Sequence, residues 1–123
     1  MLSTVYSAGV FGIEGFIVSV ECNGLRRIPD FHLVGLPDLA VREAHDRVYT
    51  ACENSGYKFP SLDLMINLAP ADRKKEGSGF DTAILLGILH CGGYLRPVED
   101  LSDKCFCGEL SLSGSVRGIR GIL

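Results

Sequence analysis

The stretch from Leu62 to Gly93, "LDLMINLAPADRKKEGSGFDTAILLGILHCGG", decides the fold. Its first eight residues, "LDLMINLA", are apolar enough for a buried strand and too short for a stable helix. From about Ser78 to Gly92 the spacing turns helical. Ile84, Leu85, Ile88 and Leu89 form a stripe that Leu86 widens, and Ser78 with Asp81 reads as an N-cap pair. Between them lies "PADRKKEGSGFD" (70–81), a loop rich in glycine and lysine running from a strand into a helix. A loop in that place can cradle a phosphate, carry a nucleophile, or only turn the chain.

Working outward, "STVYSAGVFG" and "GFIVSVECNG" alternate apolar and polar residues and are rich in β-branched side chains. The segment "GIEG" (12–15) and the pair Asn23-Gly24 supply turns. After "LRRIP" comes a third short strand, "DFHLVGL", which makes an antiparallel three-stranded opening the expectation. Pro37 and Asp38 suit the first turn of a helix, since proline lacks an N–H and Asp favours the positive end of the dipole. Val41, Ala44, Val48, Ala51 and Cys52 then recur at helical spacing, so one helix is predicted over 38–55, closed by Gly56. The segment "KCFCGELSLSGSVRGI" reads as a strand, a Ser-Gly turn and the start of another strand. The expected order is β-β-β-α-β-α-β-β, an α+β two-layer sandwich occupying residues 1–123 as one domain.

The chain has 123 residues, 46% hydrophobic and 22% charged, a balance that supports a globular core without metals or disulfides. A net charge of −3 gives no general attraction to nucleic acid or anionic lipid, so any such contact needs a local patch. No apolar run reaches the length of a membrane helix, and "MLSTVYSAGVFGIEG" lacks the marks of a signal peptide. The five cysteines are scattered and odd in number, as expected for thiols in a reducing cytoplasm. Cys105 and Cys107 stand two apart, which puts both sulfurs on one face of a strand, but no second pair accompanies them and no metal site is assigned.

The loop fails as a P-loop. Lys74 and Lys75 precede Gly77 and Gly79, and the Gly-Lys dipeptide that carries the phosphate-reaching lysine occurs nowhere. A weaker anion site at Gly77, Ser78 and Gly79 is compatible with the start of a helix. Arg73, Lys74 and Lys75 are three consecutive cations, flanked by Asp72 and Glu76, with smaller clusters at Arg26-Arg27 and Arg117/Arg120. They are the candidates for gripping nucleic acid or a partner, and a solvated loop is the alternative. His32, His45 and His90 match no metal or triad spacing; His45 is expected at the surface and His90 packed with a hydrogen bond.

Three blocks taken together, "FHLVGLPDLAVREAHDRVYTACENSGYKFP", "INLAPADRKKEGSGFDTAILLGIL" and "GELSLSGSVRGIRGIL", resemble the N-terminal domain of bacterial magnesium-chelatase subunit I-like AAA+ ATPases of the YifB/ComM type. The resemblance implies a ribosomal protein S5 domain 2-like fold, related to the C-terminal domain of Lon protease. It further implies an AAA+ motor beyond residue 123, with ATP and magnesium bound there and no cofactor in this domain. Members of ComM type act as hexameric branch-migration helicases on DNA during natural transformation.

Lon-type peptidases carry a serine in a K-D-G-P-S-A-G loop and a lysine after a G-E-[IL]-[TS]-L strand, the lysine taking the serine's proton. Aligned without gaps, "KEGSG" (75–79) puts Gly79 at the serine position, and the block from Gly108 puts Leu123 at the lysine position. The resemblance therefore implies a domain without catalysis of its own, a peptidase with a displaced Ser78 being the alternative. The leading expectation is an accessory domain that helps assemble a ring of like subunits or engage DNA. A purely structural protein-interaction domain is the other reading. No metal-ligand cluster or tetrapyrrole motif recommends chelatase activity. The expected partners are other subunits of the ring and DNA, with no membrane. The edge strand expected at "GELSLSGS" also offers a second copy a place to pair or swap.

Overall fold

A computed structural model describes residues 2–11, 14–97 and 100–118, with the side chain of Phe11 left aside. The elements run β1 (Leu2–Phe11), β2 (Glu14–Leu25), β3 (Asp30–Val34), α1 (Leu39–Arg42), α2 (Ala44–Asn54), β4 (Asp63–Ala69), α3 (Asp81–Cys91), β5 (Glu109–Leu110) and β6 (Val116–Arg117). Four strands form one sheet in the order β1-β2-β4-β3, and β5 and β6 form a separate two-stranded ribbon.

The alternation read from the sequence sets which side is buried. Val5 on β1, Val18, Val20 and Cys22 on β2, and Leu64, Ile66 and Leu68 on β4 point to one face and are buried. They share a single core with Val41, Ala44, Val48 and Ala51 of the first helices and Ala83, Ile84 and Ile88 of α3. The protein is thus a mixed α/β structure, with the helices covering one face of the sheet. The other face is open and carries the exposed apolar side chains of Val10, Ile17, Val34 and Met65. No helix among the described residues is long and apolar enough to cross a membrane.

Two expectations are corrected. The first three strands do not form an antiparallel sheet by themselves, because β4 lies between β2 and β3, antiparallel to the former and parallel to the latter. A parallel pair needs a long crossover, and α1 and α2 provide it. The interior places fall to β2 and β4, each paired along both edges.

The single helix expected over 38–55 is two helices, α1 and α2, meeting at Glu43. Asp38 caps α1 by accepting the Val41 N–H at 2.8 Å. The carbonyl of Ala40, which a continuous helix bonds to the N–H of Ala44, instead accepts from the Arg47 guanidinium at 2.6 Å. Gly56 closes α2 with φ +86°, as predicted.

Gly35, at the exit of β3, has φ +108°, and a Cβ there would stand 2.2 Å from the carbonyl oxygen of Leu68. Only glycine admits this approach of loop to strand. The predicted Ser-Gly turn forms at the tip of the β5–β6 ribbon, closed by Gly114 N–H to Ser111 O at 3.0 Å. Asn54 at the end of α2 donates to Leu112 O at 2.7 Å and holds that turn. Residues 119–123, which include Arg120 and the Leu123 of the Lon-like register, lie outside the described residues.

Candidate functional site

The loop between β4 and α3 folds back on its own start. Lys75 N–H donates to Leu36 O and Lys75 O accepts from Asp38 N–H, each at 2.9 Å, so the loop pairs with the entry to α1. These two bonds turn the Lys75 side chain inward. It is fully buried, and its ammonium donates to the carbonyl of Pro70. Burial lowers its pKa below the ordinary lysine value, with Asp72 opposing. The three consecutive cations therefore divide. Arg73 and Lys74 are exposed, whereas Lys75 is a structural strut that presents no charge to solvent. The Arg73 guanidinium sits 5.1 Å from the centre of the Phe16 ring, a cation–π contact, and Lys74 lies 3.9 Å from Glu76.

The glycine half of the loop borders a cleft of about 1060 Å³. Gly77, at φ +83°, donates its N–H to Asp38 Oδ2 at 3.1 Å. Ser78 Oγ donates to Glu109 Oε2 at 2.6 Å, and Gly79 O accepts from Gly108 N–H at 2.9 Å. Asp38, Glu76 and Glu109 all line the cleft. The Gly77 N–H that would favour an anion is thus already met by a carboxylate of the protein, and an anion seated on it must displace Asp38. Glu109 is partly balanced by Arg117 at 3.7 Å.

Ser78 and Asp81 do not cap α3 together. Phe80 is the N-cap residue, and Asp81 is buried, receiving Arg47 Nε at 2.7 Å, Arg47 Nη2 at 3.0 Å and the Leu110 N–H at 3.1 Å. Burial raises the Asp81 carboxyl, opposed by these donors, while the hydrogen bond to Asp81 raises the pKa of Arg47. The pairing joins residues 34 apart, which the spacing of residues along a chain cannot reveal.

As a nucleophile, Ser78 meets a carboxylate rather than an amine. Lys75, the nearest lysine in sequence that is turned inward, is committed to Pro70 O. A Lon-type dyad needs a neutral amine at the serine hydroxyl; among the described residues, Ser78 Oγ bonds Glu109 instead. On the cleft wall, the sulfurs of Cys105 and Cys107 are 3.9 Å apart, as their spacing predicts. They belong to a segment joined to β1 by a single bridge at Tyr6 rather than to a strand. Burial, helped by Cys107, pushes the Cys105 thiol up to about 11, away from the reactive thiolate range.

The histidines fall as follows. His90 Nδ1 lies 2.8 Å from Ser3 Oγ, the satisfied packing expected. His45 is half-exposed, with its ring centre 4.4 Å from that of Phe31. His32 looks isolated in the sequence, but the parallel register places Asp63 beside Asp30, and their carboxylates lie 3.5 and 3.3 Å from His32 Nε2. Asp30, His32 and Asp63 are the described residues whose ligand atoms lie close enough to hold a metal. Arg27 lies 3.2 Å from Asp63 at the surface, so that carboxylate already has a cation beside it. The Asp-x-His spacing is visible in the sequence; the strand pairing that brings in Asp63 is not.

Comparison with known proteins agrees with the resemblance of the three sequence blocks. Residues 20–123 match the family model described as subunit ChlI of Mg-chelatase. The chain is 40% identical over 122 residues to a protein named competence protein ComM of Haemophilus influenzae. It is 38% identical over the same length to YifB of Escherichia coli K12, a protein described as uncharacterised. Each match takes in 99% of this chain and 24% of the relative, so the chain spans about a quarter of the length of these relatives. The chain belongs to the Mg-chelatase subunit ChlI family, among its members of ComM and YifB type.

Proposed function

We propose that the chain is a non-catalytic accessory domain of a magnesium chelatase-like, ComM-type AAA+ ATPase, with an S5 domain 2-like fold. It helps the motor assemble as a ring of like subunits or engage DNA in the cytoplasm during branch migration and transformation. ATP and magnesium belong to the motor module, not to this domain. The observation that carries this reading is similarity to a competence protein along 99% of the chain. Two features of the site support it. The hydroxyl of Ser78 is tied to Glu109, and the exposed part of the basic loop is the pair Arg73 and Lys74.

The test is Arg73→Ala with Lys74→Ala in the full-length protein, measured as duplex binding over a salt series. Each phosphate left without its cation should flatten the log–log salt slope by roughly 0.9, so a drop of about 1–2 per subunit is expected. An unchanged slope and affinity would remove the DNA-engaging version. Light scattering of full-length protein lacking this domain then tests the assembly version: retained hexamers with unchanged DNA affinity would remove that as well.

A further inference from the structure

A second groove, of about 1080 Å³, runs between β3 and the helices. One wall is the outer edge of β3. Asp30 N–H donates to Leu62 O, and the register pairs Asp30 with Asp63. In a parallel pair this phase turns the backbone groups of Asp30, His32 and Val34 toward β4, and those of Phe31 and Leu33 outward. The Phe31 N–H is taken by the Asp30 carboxylate at 2.8 Å. The Phe31 carbonyl and both backbone groups of Leu33 are left facing the groove side. The opposite edge of the sheet is different, since Phe106 N–H already pairs with Tyr6 O at 2.8 Å. An uncovered edge strand is a template for another strand.

The other wall has rings and charge. Arg42, His45, Tyr49 and Glu53 lie at helical spacing along it. Phe31 stacks on His45, and Tyr49 packs on Phe59 with ring centres 5.0 Å apart, which makes an aromatic seat beside the strand edge. Of the groove's carboxylates, Asp30 is engaged as above and Glu53 accepts the Phe59 N–H at 3.2 Å. Arg42 and Lys58 line the same groove, are exposed, and form no ion pair with a described carboxylate. In number the two carboxylates balance the two cations, but the carboxylates have described hydrogen-bond donors and the cations have no described acceptor, so Arg42 and Lys58 are the charges open to a ligand.

We propose that this groove binds an extended acidic peptide by strand addition to β3. The peptide backbone pairs with Phe31 O and with the N–H and C=O of Leu33. A central aromatic side chain seats against the ring cluster, and acidic side chains two positions to either side, on the same face of the added strand, meet Arg42 and Lys58. This inference is independent of the DNA-engaging role, which rests on Arg73 and Lys74. Bare phosphate chemistry does not explain the site, because a nucleic acid leaves the β3 edge unpaired.

The test titrates the 123-residue chain, labelled with 15N, with the capped peptide Ser-Glu-Val-Phe-Val-Glu-Ser. Saturable amide shifts confined to β3 and the α1–α2 stripe are expected. Affinity should fall about tenfold or more for the Lys-Val-Phe-Val-Lys counterpart and for a peptide N-methylated along its pairing edge. Leu33→Pro removes an outward N–H and no ladder bond, so it should abolish binding with the sheet retained. Should Leu33→Pro not fold, Arg42→Glu with Lys58→Glu replaces it, and must reverse the preference toward the lysine peptide.

No saturation at millimolar peptide, shifts centred elsewhere, or indifference to N-methylation would overturn the proposal. So would tighter binding of an oligothymidylate at the same residues, which makes the groove a nucleic-acid seat. Self-association that disappears in the Arg42→Glu, Lys58→Glu variant would make a second copy of the chain the occupant instead.

Discussion

Arg47 and Asp81 form a bidentate ion pair inside the protein, at 2.7 and 3.0 Å, and through it four parts of the chain meet. Arg47 comes from α2 and also holds the Ala40 carbonyl at the end of α1's reach, while Asp81 opens α3 and also receives Leu110 of β5. Among the described residues no buried side-chain nitrogen or oxygen lacks a hydrogen-bond partner, those of this junction included.

Removing one member should therefore be costly. Arg47→Met leaves Asp81 buried and uncompensated, and should lower unfolding stability by about 3–5 kcal/mol in urea. Arg47→Met combined with Asp81→Leu should recover a large part of that loss, giving a strong coupling in the double-mutant cycle. Additive effects would mean that the pair is exposed to water in solution.

Lys75 predicts a pH dependence of definite sign. Its folded pKa is lowered by burial, so in the window below the ordinary value of 10.5 the unfolded chain binds more protons than the folded one. Stability then rises with pH through that window and levels off above it. Urea unfolding as the pH is raised toward 10.5 should show this rise in the native protein, and a flatter profile in Lys75→Met. Parallel profiles would sink the assignment of Lys75 as the buried amine.

Two glycines with positive φ should respond differently to alanine. Gly35→Ala drives a Cβ into the Leu68 carbonyl, and should cost well over about 2 kcal/mol or abolish folding. Gly56 also has positive φ, but a Cβ there meets nothing within 4 Å. Gly56→Ala should cost only the left-handed backbone penalty, roughly 1–2 kcal/mol. Thermal unfolding midpoints of the two variants give the comparison.

Ser78 should behave as a structural hydroxyl. Ser78→Ala removes one charge-assisted hydrogen bond to Glu109 and should cost roughly 1.5–3 kcal/mol. A fluorophosphonate probe at neutral pH should leave Ser78 unlabelled; stoichiometric labelling would make the domain a peptidase after all.

What is readable in the sequence is local. The 62–93 stretch announces a strand, a loop and a helix because period and turn residues act over a few positions, and Asp38 and Gly56 mark helix ends for the same reason. What escapes depends on partners far along the chain. The insertion of β4 between β2 and β3 needs a pairing choice that alternation leaves open. Asp81 looks like a cap and Arg47 like a solvated helix face, since neither residue type says that the other is opposite. At the break at Glu43, Arg47 reaches the Ala40 carbonyl with a guanidinium that the distant Asp81 holds in place. In the basic loop, "RKK" reads as three equivalent cations, yet the backbone pairing of Lys75 with Leu36 and Asp38 sends one of them indoors.

Asp38 divides its carboxylate between two tasks, one oxygen for the Val41 N–H and the other for the Gly77 N–H. With the two backbone bonds of Lys75 alongside, the basic loop is fastened to the first turn after β3 at three points. The loop is therefore no free tether. A load applied at Arg73 and Lys74 is carried into the root of α1, next to the groove along β3, so the two surfaces are joined as the ends of one short lever.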